Sequence, residues 1–164
     1  MNSDKTKSII YTALFAALVC VATFIIKVPS VVTNGYVHLG DGFIFISVIL
    51  LGKKNGALAG AIGASLADML GGYSHYIIPT FIIKLIMAYL MGTIIEKLPS
   101  KKSSHLIGAS IGSVWQILAY YVVGSIFVGS FITTLMDIPG NFMQSLIGIV
   151  IALLFSEQLK KIIK

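Results

Sequence analysis

Long apolar runs, broken by short clusters of lysine, proline and glycine, set the pattern of this chain. The runs are too long and too continuous for alternating strands, and each ends where a helix would be stopped. They predict six helices, at about residues 8–26, 37–51, 57–70, 78–95, 105–127 and 141–157. Pro29-Ser30 through Thr33-Asn34-Gly35 reads as a turn-prone loop, Tyr73-Ser74-His75-Tyr76 as a short loop, and Glu96 to Ser104 as a polar linker. Helices two and three are short against the roughly 20 apolar residues a crossing needs. Neighbours and loops must then cover their ends, which predicts a compact bundle containing a cavity.

Composition makes lipid the solvent. Apolar types reach 57% and charged types 11%, whereas a soluble domain carries roughly 25% charged residues. The fold class expected is an all-α integral membrane protein, one domain over residues 1–164. The balance is basic, 12 Lys+Arg against 6 Asp+Glu, and all 12 are lysine. Nucleic-acid binding would need those lysines on one water-facing patch, but here they punctuate the apolar runs. The one cysteine, Cys20, lies inside the first run, where it reads as a packing residue. That run is too long for a signal-peptide core and lacks an A-x-A-like cleavage site before Lys27, so it reads as a retained helix.

The lysines also orient the bundle. Both tails and the linkers after helices two and four hold Lys5, Lys7, Lys53, Lys54, Lys97, Lys101, Lys102, Lys160, Lys161 and Lys164, ten of the twelve. The other side holds Lys27, and Lys84 lies within helix four. Positive charge accumulates on the cytoplasmic side, so both termini are expected there.

Gly108-Ala109-Ser110-Ile111-Gly112 is a literal G-x-S-x-G. A nucleophile elbow needs a strand-to-helix turn with His and acid partners; inside an apolar helix, small residues instead let helices approach closely. There is no phosphate-binding loop of the G-x-x-x-x-G-K-[ST] type, and His38, His75 and His105 lack metal-ligand spacing. Neither catalysis nor a metal is expected. Small residues concentrate at Ala13 and Ala17 of helix one and at Gly56, Gly60, Gly63, Ala64, Ala67 and Gly71 of helix three. The second group reads as packing within the bundle.

Charged and amide groups inside spans are costly unless they face a cavity or a partner. Asp41 and Asp68 fall near the outer ends of helices two and three, as structural polar groups, with Lys84 about two turns down helix four and able to pair with either. Gln116 and Tyr120 share a face of helix five, with Trp115 beside them. Asn141, Gln144 and Ser145 share a face of helix six. All fall at one level, so a small-molecule pocket open to the outside collects them economically.

Three segments carry a likeness to a known family: Gly35-Tyr36-Val37-His38-Leu39-Gly40-Asp41-Gly42, Leu51-Gly52-Lys53-Lys54-Asn55-Gly56-Ala57-Leu58-Ala59-Gly60 and Leu66-Ala67-Asp68-Met69-Leu70-Gly71-Gly72. With the six-helix layout they resemble the substrate-binding S components of energy-coupling factor (ECF) vitamin transporters, over nearly the whole chain. The resemblance implies a subunit of a bacterial cell membrane that captures a water-soluble vitamin from outside. It would then join a transmembrane T subunit and two cytoplasmic ATPases, which use ATP while this chain needs no cofactor. In that family a small-x-x-x-small pattern on helix one docks the T subunit, and Ala13 and Ala17 match it. The family's site is built from the first loop and helices four to six. The expected ligand contacts are therefore Lys84, Trp115, Gln116, Tyr120, Asn141 and Gln144, under a lid containing Asn34 to His38.

Tyr and Trp supply stacking faces, and Gln and Asn orient hydrogen bonds. That combination favours a pyridoxine-like or hydroxymethylpyrimidine-like ring. Lys84 would equally suit a carboxylate, as in pantothenate or niacin. A stand-alone facilitator would need a continuous polar path, which the apolar cytoplasmic halves do not offer, and a Ser110 hydrolase is the enzyme alternative.

Overall fold

The apolar runs become helices because lipid offers the backbone no hydrogen-bond partner, so each crossing segment must satisfy its own N–H and C=O groups. The computed structural model describes residues 3–30, 32–98 and 101–163, without the side chains of Ser3, Lys101, Lys102, Ile162 and Ile163. Val31, Pro99, Ser100 and Lys164, and the Lys101 and Lys102 side chains used above for orientation, lie outside the described residues.

Helix α1 (Ser3–Ile25) leads into two short strands, β1 (Lys27–Pro29) and β2 (Tyr36–His38). They pair antiparallel, Lys27 opposite His38 and Pro29 opposite Tyr36. Helix α2 (Gly40–Gly71) follows, then a 3-10 turn (Ser74–Tyr76), α3 (Ile77–Lys97), α4 (Lys101–Val128), the short α5 (Phe131–Thr134), a second 3-10 turn (Leu135–Asp137) and α6 (Ile138–Ile163). The chain is a multi-pass, all-helical protein. Among the described residues, five helices are long and apolar enough to cross a membrane. Residues 37–39, assigned above to the second helix, are instead strand and connection: Tyr36 to His38 pair with β1 before the helix starts at Gly40. The turn-prone stretch is the tip of a hairpin, with the turn at residues 32–34 between the two strands.

Helix α2 is not one rod. Gly52 sits at φ 80°, ψ 173° in its middle, a backbone conformation open to glycine. A Cβ on Gly56 would lie 2.5 Å from Val48 Cα, and one on Gly60 would lie 2.7 Å from Ile44 Cγ2. Residues sixteen apart cannot touch in a straight helix rising 1.5 Å per residue. The two arms, residues 40–51 and 53–71, therefore fold back on each other. The second arm ends at Gly72, whose φ of 82° closes the helix while Tyr73 N–H donates to the Asp68 carbonyl at 2.9 Å.

The small residues of this arm pack within the bundle as expected. A Cβ on Gly63 would lie 2.3 Å from the Ala16 carbonyl oxygen of α1. The G-x-S-x-G segment behaves the same way, since Cβ atoms on Gly108 and Gly112 would each lie 2.8 Å from a carbonyl of α3, at Met91 and Met87. The core gathers Phe15, Val19, Phe45, Val48, Met87 and Met91. The outer surface carries exposed Ile10, Leu14, Ile82, Leu118, Ile126 and Leu154, a coat suited to acyl chains rather than water.

Candidate functional site

The polar residues of the spans form two connected layers. The deeper layer is centred on Asp41, at the first turn of α2. Its Oδ1 takes the Lys84 ammonium of α3 at 2.5 Å. Its Oδ2 accepts from Gln116 Nε2 of α4 at 2.7 Å and from Gln144 Nε2 of α6 at 2.8 Å. Gln116 also accepts from Lys84 through its Oε1 and donates to Ser145 Oγ at 2.7 Å. Both charged side chains are 0% exposed. Buried charges are tolerated only when paired and saturated with hydrogen bonds, and three helices supply the partners that one carboxylate needs.

The upper layer is a cavity of about 340 Å³ between the β-hairpin and the ends of α2, α3, α4 and α6. Tyr36, Tyr76 and Tyr120 stand in its walls with Val28, Val37, Ala64 and Met136, and its polar lining includes Thr33, His38, Asp68, Thr80, Asp137 and Asn141. Gln144 joins the layers: it lines the cavity, donates to Asp41 and accepts the His38 backbone N–H at 2.8 Å. The hairpin is thus tied to the deep network through its second strand. At the other edge, Ser30 donates to Asp137 Oδ1 at 2.6 Å, closing the hairpin onto the turn before α6.

Two hairpin groups are set electrostatically. Burial and the nearby Lys84 charge pull His38 down to about 3, Asp41 opposing. The ring is therefore neutral, and its Nδ1 accepts the Gly40 N–H at 3.0 Å. Burial and the adjacent Asp68 push the Tyr36 phenol upwards, so it stays a donor, to Asp68 Oδ1 at 2.6 Å.

Of the residues singled out from sequence, the structure brings His38, Tyr120, Asn141 and Gln144 together around the cavity. It places Lys84 and Gln116 beneath it, spent on Asp41. Lys84 Nζ still lies 5.3 Å from the centre of the Tyr120 ring. Trp115 belongs elsewhere. Its indole N–H donates to the Ile83 carbonyl at 3.1 Å, and its ring lines an apolar outer cleft of about 490 Å³ with Ile82, Leu118 and Val122. Asn34 is exposed at the hairpin tip, with φ 53°. Sequence reasoning placed Tyr36 only within the Asn34-to-His38 lid, passed over Tyr76 and Asp137, and read Asp68 as structural although that side chain lines the cavity. Tyr36 lies inside the Gly35–Gly42 segment already conspicuous in the sequence, whereas nothing in the sequence pairs Tyr76 or Asp137 with it.

Ala13 and Ala17 lie on the exposed face of α1 beside Ile10, Leu14 and Leu18, opposite the buried Phe15, Ala16 and Val19. They are not internal packing.

A multi-pass helical bundle with a small covered cavity at one end, its polar groups converging from separate helices, defines a class of membrane-embedded solute-binding proteins. Over residues 3–161 the chain matches the model of the family described as "ECF-type riboflavin transporter, S component", and it belongs to that family. It is accordingly a transport protein and not an enzyme. It is 26% identical over 163 residues to the "Thiamine precursor transporter HmpT" of Lactococcus lactis subsp. cremoris (strain MG1363), covering 98% of this chain and 92% of that one. It is 29% identical over 111 residues to an uncharacterized protein of Pyrococcus woesei, covering 68% of this chain and 74% of that one. A crystal structure of the S component for biotin from an ECF-type ABC transporter shares the fold at a TM-score of 0.67 and 21% identity, covering 96% of this chain and 95% of that one.

Proposed function

We propose that the chain is the membrane-embedded binding subunit of an ECF-type uptake transporter, and that it captures a small, uncharged or weakly basic aromatic ring of the pyridoxine or hydroxymethylpyrimidine kind. The observation that carries the ring class is the cavity itself, near the lower end of the roughly 300–1,000 Å³ typical of ligand sites and walled by three tyrosines. Similarity to a thiamine precursor transporter supports the same class. The anionic alternative, pantothenate or niacin, depended on Lys84, and that ammonium is sequestered by Asp41 while the charged side chains facing the cavity are Asp68 and Asp137. A facilitator is disfavoured by the apolar core of Phe45, Val48, Met87 and Met91 below the deep network.

His38, Tyr120, Asn141 and Gln144 contact the ligand, with Lys84 and Gln116 supporting them from below. The fold-back at Gly52 makes six crossings of the five long helices, with both termini in the cytoplasm of a bacterial cell and the hairpin outside. Ala13 and Ala17 present the face that docks a T subunit, through which two ATPases drive uptake.

Mass spectrometry of small molecules co-purifying with the protein tests the reading, followed by binding titrations with the solute found. A single-ring vitamin or precursor is expected. An anionic vitamin, or no bound solute together with no binding to any vitamin tried, would overturn it.

A further inference from the structure

The two carboxylates of α2 are treated differently by the fold. Both oxygens of Asp41 are fully engaged, by Lys84, Gln116 and Gln144. Asp68 is only half used: Oδ1 accepts from Tyr36, and Oδ2 has no partner. The side chain is 3% exposed and faces the cavity. Among the described residues, one other buried side-chain atom shares that condition, the Ser113 hydroxyl. A hydroxyl rotates to suit its surroundings, whereas a buried carboxylate oxygen demands a donor.

The unpaired oxygen is not slack in the local structure. The Asp68 backbone is held where the helix closes, its carbonyl accepting from Gly72 and Tyr73, and Tyr36 fixes the other oxygen. The Thr80 hydroxyl accepts the Tyr120 O–H at 3.2 Å and turns its own proton to the Asp68 carboxyl, without reaching Oδ2 in hydrogen-bond geometry. Lysine does not compete, since Lys84 is paired with Asp41 and Lys27 lies over the rings of Phe24, Tyr36 and Tyr73. Asp137, across the cavity, adds a second negative charge. The cavity thus presents an acceptor without a donor, between aromatic faces.

We propose that Asp68 Oδ2 is a specificity-determining acceptor for an N–H on the ligand, which selects an amino-substituted heteroaromatic ring over rings of the same size that lack the amino group. Tyr36 shares the same carboxylate, so the ligand and the second strand of the covering hairpin are held by one side chain. The assignment rests on the binding-subunit reading and narrows its ligand from small aromatic rings in general to those with an amino edge.

The test uses the full-length protein in detergent and two probes, hydroxymethyl-aminopyrimidine and the same pyrimidine with hydrogen in place of the amino group. Titration calorimetry should show the wild type preferring the amino probe by roughly 10- to 100-fold, the scale of one hydrogen bond to a buried charge. In Asp68→Ala the ratio should fall to about threefold or less, a change in selectivity that loss of folding alone would not produce. If Asp68→Ala does not fold, Asp68→Asn takes its place, and the wild-type ratio alone is decisive. A wild type that binds both probes equally, or a variant that keeps the full preference, overturns the assignment. So does a wild type that binds neither pyrimidine but binds riboflavin or pyridoxine, and that result leaves the binding-subunit reading standing. Failure to bind any of these solutes counts against both.

Discussion

Asp41 organises the upper half of the molecule, and the behaviour of its partners follows from how fully it is paired. Removing one partner of a buried ion pair leaves a bare charge and costs roughly 3–5 kcal/mol. Lys84→Met should therefore lower the thermal unfolding midpoint of the purified protein by about 10 °C, and Lys84→Met combined with Asp41→Asn should recover much of it. A Lys84→Met protein of unchanged midpoint but lost ligand affinity would instead make Lys84 a direct ligand contact. His38 gives a prediction with a definite sign. Its folded value is about 3, below the roughly 6.5 of a free imidazole, so between those values the unfolded chain binds a proton that the folded one does not. Its contribution to stability is complete above pH 6.5 and is lost as pH falls towards 3, at about 1.4 kcal/mol per unit at most. Midpoints measured from pH 7 to pH 4.5 should fall for the wild type, and less steeply for His38→Gln.

At the scale of elements, glycine does two different jobs. Gly63 is needed because the α1 backbone passes where a Cβ would stand, 2.3 Å from the Ala16 carbonyl oxygen. Gly72 is needed for its left-handed φ of 82°, with open space around it. Gly63→Ala should force α1 and α2 apart and give aggregated or poorly expressed protein on size-exclusion chromatography. Gly72→Ala should stay monodisperse and lose only about 1–2 kcal/mol, the left-handed penalty for a residue with a Cβ. Equal damage from both would mean that the α1–α2 approach is looser than the backbone indicates. The β-hairpin marks where sequence periodicity ran out. Strands of three residues are too short to show alternation, and Pro29 with Asn34-Gly35 reads as turn whether or not its flanks pair.

At the scale of the molecule, orientation and docking remain predictions. In a background with Cys20 replaced, cysteine placed at Ser74 should react with an impermeant reagent from outside, and cysteine at Ser103 only after the membrane is opened. The reverse pattern would invert the bundle and place the cavity on the cytoplasmic side. Ala17→Trp should keep ligand affinity within about threefold, because α1's exposed face lies away from the cavity, while abolishing uptake and co-purification with a T subunit. Loss of ligand binding in that variant would mean that the face supports the fold rather than a partner.

The helices, their membrane setting and the family were legible in the sequence because they depend on local quantities: run length, punctuation by lysine and glycine, and small residues at helical spacing. The Gly52 break and the Lys84 pairing were legible for the same reason, one as a Gly-Lys-Lys-Asn-Gly cluster and the other as opposite charges in apolar runs that cannot afford to stay apart. The division of labour among the polar residues was not. Gln116 and Gln144 carry the same side chain at the same level, yet Gln116 is sealed beneath the cavity and Gln144 stands in its wall. Trp115 and Gln116 are adjacent in the chain, and a helix turns about 100° between them, enough to send one to the lipid face and the other to Asp41. Asp41 and Asp68 are likewise indistinguishable by residue type. Only the tertiary structure shows that three helices converge on the first, while the second, which lines the cavity, is reached by Tyr36 of the hairpin and Thr80 of α3 and keeps one oxygen without a partner.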